Sequence, residues 1–336
     1  MKILVTGGAG FIGSHIVEHF QGTAEVRVLD NLRSGFRHNL HGFRHEFMEA
    51  SILDREAVRR AVQGVDYVFH LAATTSVPES MAKPVECREI NVNGTLVVLE
   101  ESAKAGVKKL IFSSTAAIYG DNPVVPKAET MQPEPKSRYA SSKLEGEQHC
   151  HRFASMGDLQ TVCLRYFNVF GPRQDPGSEY AAVVPIFISR ALKREPITIY
   201  GDGEQTRDFI FVKAVAAVNA LFATPLPATG VINVASGEKI TINHLAETIC
   251  RLTGSNSVIR HAPGRAGDVE HSMAAVERLG AAGFVPQGSL FDGLQETIEF
   301  YVKKVPAKAV WKLDDVVDGA GTNGKIPELP ALSPQR

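Results

Sequence analysis

The sequence has little cysteine, almost no net charge and no long apolar run, and each shortage excludes a class of protein. Its four cysteines lie far apart, without a CxxC pair, so we expect neither a metal site nor a disulfide framework. A formal net charge of −1 provides no basic field for nucleic acid or a membrane surface. The apolar stretch at 3–5 is too short for a signal peptide or a membrane span. We therefore expect a soluble, cytoplasmic protein.

Short apolar runs alternate with segments of helical periodicity through the first half of the chain. This alternation predicts an α/β fold of the Rossmann type, a doubly wound parallel sheet that binds ligands at the carboxyl ends of its strands. The predicted strands are 2–6, 25–30, 66–70, 109–113 and 161–166. The predicted helices begin near Ile12 and cover 55–62, 91–105 and 138–154.

The organisation changes after Asn168, where helices, turns and short strands mix. We predict a large domain formed by 1–168 together with about 205–235. A smaller α/β lobe takes 169–204 and 236–304 and closes over the edge of the sheet. Residues 305–336 cannot build a core of their own, because they are rich in Gly, Ala and Pro, and we expect an extended or disordered tail.

The predicted helix 91–105 carries more apolar surface than one contact with a sheet requires. Val92 and Leu99 lie on its main apolar stripe, whereas Val97 and Val98 lie elsewhere on its circumference. A second apolar face predicts a homodimer formed through a helix bundle. The alternative is a helix that is simply buried under a neighbouring loop.

Residues 6–13, with the sequence TGGAGFIG, follow the first predicted strand and open the first helix. Gly7, Gly10 and Gly13 permit a tight turn, a close approach of the backbone to a pyrophosphate, and close packing of helix on strand. The N-terminus of the helix offers free N–H groups and the positive end of its dipole to phosphates. A glycine triplet alone is a weak signal, but its place between a strand and a helix favours a dinucleotide site.

Asp30 ends the second predicted strand and indicates which dinucleotide is bound. A carboxylate at this place accepts hydrogen bonds from the adenosine ribose hydroxyls and repels a 2′-phosphate. This favours NAD over NADP. Arg33 and Arg37 keep the alternative open, because either guanidinium could bind that phosphate.

Tyr139 and Lys143 lie four residues apart, and therefore on one face of the predicted helix. A phenol has an ordinary pKa of about 10 and is a poor base at neutral pH. We expect the Lys143 ammonium, with the positive nicotinamide ring, to lower the pKa of Tyr139. A Tyr/Lys pair alone is usually an ordinary solvated face, but residues 113–120, SSTAAIYG, place hydroxyls at a strand end where a substrate oxygen would meet them.

Together these motifs resemble the extended short-chain dehydrogenase/reductases, and among them the NAD-dependent epimerase/dehydratase family. The GxxGxxG spacing, LDNLRSG at 29–35, HLAA at 70–73 and NVNGT at 91–95 resemble the cofactor-binding segments of its nucleotide-sugar epimerases. One position departs from the family, which usually has Asp at the place of Ser51, and a hydroxyl accepts a hydrogen bond from adenine more weakly.

The resemblance covers roughly residues 1–300 and implies a set of NAD-binding residues. They are Gly7, Gly10, Phe11, Ile12, Asp30, Asn31, Ser34, Gly35, Ser51, Ile52, Leu71, Ala72, Ala73, Asn91, Ser113, Tyr139, Lys143 and Phe167.

The resemblance also implies a catalytic set of Thr115, Tyr139 and Lys143. The dehydratases of the family place an acidic pair directly after the threonine, and the related decarboxylases have a nearby Glu. This sequence has Ala116 and Ala117 there, so the site lacks the acid and base that elimination requires. It can move a hydride and a proton, which is what an epimerase needs.

Four later segments resemble the substrate lobe of the UDP-hexose 4-epimerases: 165–173, 198–203, 205–209 and 264–268. Paired arginines suit a diphosphate, because their planar guanidinium groups bind paired oxygens. The implied substrate-binding residues are Thr115, Asn168, Val183, Val184, Tyr200, Arg207, Arg265, Asp268 and Ser272.

Ser272 stands where epimerases restricted to unacetylated sugars tend to have a bulky Tyr. Its small size predicts room for UDP-N-acetylglucosamine and UDP-N-acetylgalactosamine besides UDP-glucose and UDP-galactose. Three alternatives remain: a UDP-glucuronate 4-epimerase, a dehydrogenase or reductase that releases NADH, and a non-catalytic NAD-sensing regulator.

Overall fold

The computed structural model describes residues 1–177, 182–224, 229–264, 269–284 and 288–304. The predicted tail at 305–336 lies outside the described residues. In the part of the chain that is described, no helix is both long and apolar enough to cross a membrane.

Seven parallel strands form the central sheet in the order β11-β6-β5-β4-β1-β2-β3, which confirms the predicted Rossmann-type fold. Six further short strands form three separate pairs: β7 with β10, β9 with β12, and β8 with β13. In chain order the strands are β1 (Lys2–Thr6), β2 (Glu25–Asp30), β3 (Glu46–Glu49), β4 (Tyr67–His70), β5 (Lys109–Thr115), β6 (Gln160–Tyr166), β7 (Asn168–Phe170), β8 (Ile197–Tyr200), β9 (Thr206–Arg207), β10 (Phe209–Phe211), β11 (Gly230–Val234), β12 (Ile240–Thr241) and β13 (Ile259–Ala262).

The helices connect and cover these strands. They are α1 (Phe11–His19), α2 (Arg55–Ala61), α3 (Val77–Ala82), α4 (Pro84–Arg88), α5 (Gly94–Lys104), α6 (Arg138–Met156), α7 (Val183–Leu192), α8 (Val212–Phe222), α9 (Ile242–Thr253), α10 (Glu277–Ala281) and α11 (Leu290–Lys304). Single 3₁₀ turns lie at Arg37–Leu40 and Ala116–Tyr119, and a π-helical turn lies at Glu89–Asn93.

Alternate residues of each sheet strand enter opposite layers of the core. Val5 packs with α1 and α8 on one face, whereas Leu4 packs with α2, α5 and α6 on the other. Because both faces are covered, the strands are apolar along their whole length. Because the strands are parallel, the carboxyl ends of β1, β4, β5 and β6 lie at the same edge of the sheet, where a ligand can reach them.

The helix predicted at 91–105 begins differently from the prediction, and part of the argument for a dimer is wrong. Its first residues belong to the π-helical turn that continues α4, and α5 starts only at Gly94. Val98, placed by prediction on an outer face, is fully buried in the core against Leu99 and its neighbours. Val97 is half-buried and also packs against this core.

The second core lies between α7, α9 and α11 and the short strand pairs. Buried residues such as Phe187, Leu245 and Leu294 fill it. No continuous sheet runs through this part in the described residues, because each pair has only two strands. Polar side chains that lie between these strand pairs therefore help to hold this part of the chain together.

Candidate active site

The loop after β1 leaves no room for side chains at two of its glycines. Gly7 has a φ of 71°, and a Cβ there would lie 2.7 Å from the backbone nitrogen of Ala72. A Cβ on Gly13 would overlap the carbonyl oxygen of Gly7. The loop can therefore hold its tight shape, with backbone exposed toward a ligand, only while these residues stay glycine.

Helix α1 begins without the cap that neighbouring helices have. Gly10 stands at its N-cap position with no side-chain hydrogen bond, and its first turn contains no acidic residue. In contrast, Asp54 caps α2 and Ser137 caps α6. The first N–H groups of α1 and its positive dipole end are thus left for an anion, which fits the pyrophosphate of a dinucleotide.

Asp30 lies at the end of β2, beside this loop, and is almost completely buried. Its Oδ2 accepts a hydrogen bond from the backbone N–H of Ala9 at 2.9 Å, and its Oδ1 accepts one from Leu32 at 2.8 Å. Burial raises the pKa of this carboxyl, and the two backbone hydrogen bonds oppose the rise. The carboxylate is therefore held rigidly at the position where a ribose would bind.

Both arginines that could bind a 2′-phosphate already pair with carboxylates. Arg33 donates to Glu79 at 2.6 Å and to Glu86, and Arg37 donates to Glu49 at 2.6 Å. These pairs compete with a phosphate for the guanidinium groups. The geometry thus favours NAD, as Asp30 predicts.

A chain of buried hydrogen bonds supports the end of β4. His70 Nδ1 pairs with the hydroxyl of Thr6 at 2.7 Å, and its Nε2 pairs with Thr95 at 2.9 Å. Burial lowers the pKa of His70 to about 3, so the ring is neutral. Asn91 accepts from the backbone N–H of Thr74 at 2.8 Å and donates to its carbonyl at 2.9 Å. Asn91 therefore fixes the loop at 71–74, which includes the predicted cofactor residues Leu71, Ala72 and Ala73.

Several other predicted NAD-binding residues make local contacts. Asn31 accepts from the backbone of Arg33 at 3.2 Å, and Ser51 accepts from Leu53 at 3.2 Å. Ile52 is buried in the core, so only its backbone can meet a ligand. The remaining predicted residues on this side, by exposure, are Phe11 and Ile12 (half-buried), Ser34 (exposed) and Gly35 (buried).

Thr115, Tyr139 and Lys143 come together between the end of β5 and α6. A side-chain hydrogen bond joins Tyr139 to Thr115. The ammonium of Lys143 donates to the carbonyl oxygen of Ser113 at 2.9 Å and lies 4.9 Å from the centre of the Phe112 ring. The side chain of Ser113 pairs with the Tyr166 hydroxyl at 3.1 Å.

Among the protein groups alone the pKa of Tyr139 is raised, whereas the sequence predicts a lowering by Lys143 together with the positive nicotinamide ring. Burial raises the pKa of Tyr139 to about 12, and only the hydrogen bond from Thr115 opposes it. Burial also lowers the pKa of Lys143 to about 8. Both shifts oppose charge, but a pKa of about 8 leaves Lys143 mostly protonated at neutral pH. The positive nicotinamide remains as the further source of a lower pKa for the phenol.

Two serines that the sequence analysis missed hold the backbone of Tyr139. Ser80 accepts a hydrogen bond from the Tyr139 N–H at 3.1 Å. Ser142 donates to the Tyr139 carbonyl at 2.7 Å and accepts from the Asn91 amide at 2.9 Å. Ser142 stands inside the Tyr139–Lys143 motif, so its spacing was a usable signal, whereas nothing in the sequence marks Ser80.

A buried ion pair behind the triad was also missed. Glu147 and Arg165 form two hydrogen bonds, at 2.9 and 2.7 Å, and both side chains are buried. Ser114 donates to the same carboxylate at 2.6 Å, and the Arg165 guanidinium lies 4.8 Å from the centre of the Tyr119 ring. This cluster fixes the end of β5 directly before Thr115.

Three of the predicted substrate residues lie at the ends of short strands. Asn168 begins β7, Tyr200 ends β8 and Arg207 ends β9. Ser272 is half-buried, and its backbone N–H donates to Thr206 at 3.1 Å.

Two of the predicted residues lie at the uncapped N-terminus of α7. Val184 is buried in the second core, so only its backbone N–H is available to a ligand, whereas Val183 is half-buried. Phe167 is buried against Tyr119. Arg265 and Asp268 lie outside the described residues.

Metal-binding side chains do not gather in the described ranges: no group of three or more His, Cys, Asp or Glu residues could hold an ion there. The four cysteines are all free. The glycine loop, the uncapped helix and the Thr/Tyr/Lys set together define a dinucleotide-dependent enzyme of the short-chain dehydrogenase type.

Comparison with known proteins agrees with this class. The model of the NAD dependent epimerase/dehydratase family matches residues 3–235. The chain is 40% identical to a UDP-N-acetylglucosamine 4-epimerase from Methanobrevibacter ruminantium, with a TM-score of 0.88, over 90% of this chain and 99% of the other. It is 42% identical to the UDP-glucose 4-epimerase of Thermotoga maritima, with a TM-score of 0.86 and the same coverage.

A third solved structure, the UDP-glucose 4-epimerase of Thermus thermophilus in complex with NAD, is 40% identical, with a TM-score of 0.83, over 91% of this chain and all of the other. The chain therefore belongs to the NAD dependent epimerase/dehydratase family, which confirms the predicted family. It is an isomerase of the epimerase type, and its cofactor is NAD.

Proposed function

We propose that this protein inverts C4 of a UDP-hexose by a transient oxidation, using tightly bound NAD. The observation that carries the proposal is the Thr115–Tyr139–Lys143 set, followed by Ala116 and Ala117. A dehydration needs a further acid and base beside the threonine, and these two alanines provide neither. The names of the three similar structures, all 4-epimerases, support the same reaction.

Each residue of the proposed site has a separate role in catalysis or binding. Tyr139 takes the proton from the 4-hydroxyl of the sugar, and Thr115 shares the hydrogen bond that positions it. Lys143 binds the nicotinamide ribose and, with Ser113, fixes the end of β5. Bound NAD supplies the acceptor, and later the donor, of the C4 hydride. Asn168, Arg207 and Arg265 hold the diphosphate while the keto sugar turns to present its other face.

The size of Ser272 extends the proposal to acetylated sugars. This half-buried, small side chain leaves room that a Tyr would fill, and one of the similar structures is a UDP-N-acetylglucosamine 4-epimerase. We propose that UDP-glucose and UDP-galactose are substrates and that UDP-N-acetylglucosamine and UDP-N-acetylgalactosamine also enter. Replacing Ser272 by Tyr should then remove the acetylated activity and retain the other.

Incubation of the purified protein with single UDP-sugars, without added cofactor, tests this function. We expect UDP-galactose to give UDP-glucose with no net NADH absorbance, and UDP-N-acetylgalactosamine to be converted as well. Conversion of UDP-glucuronate alone would favour the uronate epimerase, and accumulating NADH would favour a dehydrogenase. No conversion of any UDP-sugar, even with NAD added, would favour a non-catalytic NAD sensor.

We also propose a homodimer through α5. Val98 no longer supports it, and Leu96 and Val97 are half-buried. Light scattering at micromolar concentration should give twice the chain mass of 36.4 kDa, and a monomer would contradict the dimer.

A further inference from the structure

The carboxylate of Asp208 lies at the junction between β9 and β10 and is fully buried. Its Oδ1 accepts hydrogen bonds from the backbone N–H and the hydroxyl of Ser236, at 2.9 and 2.7 Å. Its Oδ2 accepts from the N–H groups of Gly237 and Ala274, both at 3.1 Å. Three of these partners are backbone N–H groups, which can only donate, so the site favours an acceptor at both oxygens. Burial raises the pKa of Asp208, and the hydrogen bonds from Ser236, Ala274 and Gly237 oppose that rise.

Three residues of the proposed substrate site are connected to Asp208 through the chain or through hydrogen bonds. Arg207 precedes Asp208 directly in the chain. Asn168 donates to the carbonyl oxygen of Asp208 from its backbone N–H at 3.1 Å and from its side-chain amide at 2.9 Å. Ser272 lies two residues before Ala274, which the carboxylate holds.

These three segments have no continuous sheet to align them. Asn168 begins β7, which pairs with β10, whereas Arg207 belongs to β9, which pairs with β12. Asp208 stands between the two pairs and bonds to the connection between β11 and β12 and to Ala274. It is thus a common point of attachment for parts of the chain that are far apart in sequence.

We propose that Asp208 is a positioning residue of the UDP-sugar site. Its carboxylate aligns Asn168, Arg207 and the segment at 271–275 so that they address one diphosphate. The inference rests on the proposed function, because it assumes that these residues bind a nucleotide diphosphate. Asp208 itself bonds only to protein, so it acts through its neighbours.

Asp208→Asn tests the proposal, because the amide keeps the size but replaces one acceptor oxygen by an NH₂ group, which then faces at least one backbone N–H from which the carboxylate accepts. We expect the Kd for UDP and the KM for UDP-galactose to rise about tenfold or more. The kcat should stay within about threefold of the wild type, because the triad lies on β5 and α6. The amount of bound NAD should not change.

Asp292→Asn is the matched control. Asp292 lies on α11 outside the proposed substrate segments, and its exposed carboxylate accepts from the backbone N–H and the hydroxyl of Ser289, both at 2.8 Å. We expect its Kd for UDP to stay within about twofold of the wild type. Ser236→Ala removes one of the four donors and should raise the Kd about threefold, and it replaces Asp208→Asn if that variant does not fold.

Calorimetric titration with UDP, together with release and assay of bound NAD, distinguishes the outcomes. An unchanged Kd in Asp208→Asn, or in Ser236→Ala if that variant replaces it, would overturn the proposal. An equal loss of UDP affinity and bound NAD would also overturn it, because it would indicate a general packing role. If the wild-type protein binds UDP but converts no UDP-sugar, the proposed function is overturned. The Kd for UDP of the variants would still test the role of Asp208.

Discussion

The two halves of the site are assembled in different ways. The half for the dinucleotide is local: Gly7, Gly10, Gly13 and Asp30 all lie in β1, α1, β2 and the loop between them. The half that we propose for the sugar nucleotide is gathered from Asn168, Arg207 and Ser272, which belong to separate parts of the chain. One half is shaped by close backbone packing, and the other by buried polar contacts.

This difference predicts different responses to substitution. Where backbone approaches backbone, a single added methyl group should be enough to remove the ligand. Where a buried charge joins several segments, changing the charge at constant size should have the larger effect. The catalytic triad lies between the halves and combines both features, since it depends on a strand end and on buried titratable groups.

The largest effect is expected at the triad, where Tyr139→Phe removes the phenolic oxygen and keeps the ring. We expect kcat to fall by about 10²–10⁴-fold, because the proton of the 4-hydroxyl loses its acceptor. The Kd for UDP and the bound NAD should stay unchanged, which would separate chemistry from both binding halves. Turnover within tenfold of the wild type would remove Tyr139 from the role of base.

Buried charge is tested next by Glu147→Gln, which leaves Arg165 without its carboxylate. Both side chains are buried, and their charged atoms lie 2.7 Å apart. We therefore expect the free energy of unfolding, measured by urea titration, to fall by about 3–5 kcal/mol. The control is Glu145→Gln on the same helix, whose partner Arg88 is exposed. That change should cost about 0–1 kcal/mol. Equal losses in the two variants would contradict the importance of burial.

Backbone packing is tested by Gly13→Ala, whose Cβ would overlap the Gly7 carbonyl. We expect the affinity for NAD to fall about a hundredfold, equivalent to about 3 kcal/mol, measured as NAD retained after purification. Gly280→Ala is the matched control, because a Cβ there meets nothing within 4 Å. A Gly13→Ala protein with full NAD content would show that the loop tolerates the methyl group.

The smallest effect is a pH dependence that comes from Lys143. Its pKa is about 8 in the folded protein and 10.5 ordinarily, so the unfolded chain binds more protons between these values. The unfolding free energy of the wild type should therefore rise with pH in that window, by up to about 3 kcal/mol in nucleotide-free protein. Lys143→Met lacks this titrating group, so it should have a larger free energy of unfolding than the wild type at pH 7. That difference should shrink as the pH rises from 8 to 10.5. A constant difference would contradict the lowered pKa.

Sequence reasoning predicted the strands that follow a clear apolar rhythm. Five of the seven sheet strands lie within two residues of their predicted bounds. The edge strand β3 was missed because Glu46 and Glu49 at its ends are exposed, and β11 because buried Asn233 interrupts its apolar run. The division into a large domain and a smaller lobe stays a prediction.

The site was predictable only where its residues form a contiguous motif. The triad and the glycine loop come together as the resemblance implied. The residues that hold them, such as Ser80, Glu147 and Asp208, act through contacts across long stretches of sequence, which no local pattern encodes. The burial that raises the pKa of Tyr139 among the protein groups was likewise not predictable, since burial is a property of the folded chain.

Transfer of the C4 hydrogen tests the central claim most directly. UDP-galactose carrying deuterium at C4 is given to the purified protein without added cofactor, and the UDP-glucose formed is analysed by mass spectrometry and NMR. We predict that deuterium remains at C4, because the bound NAD returns the hydride that it received. Replacement by hydrogen from water, or release of the label into free NADH, would contradict the account.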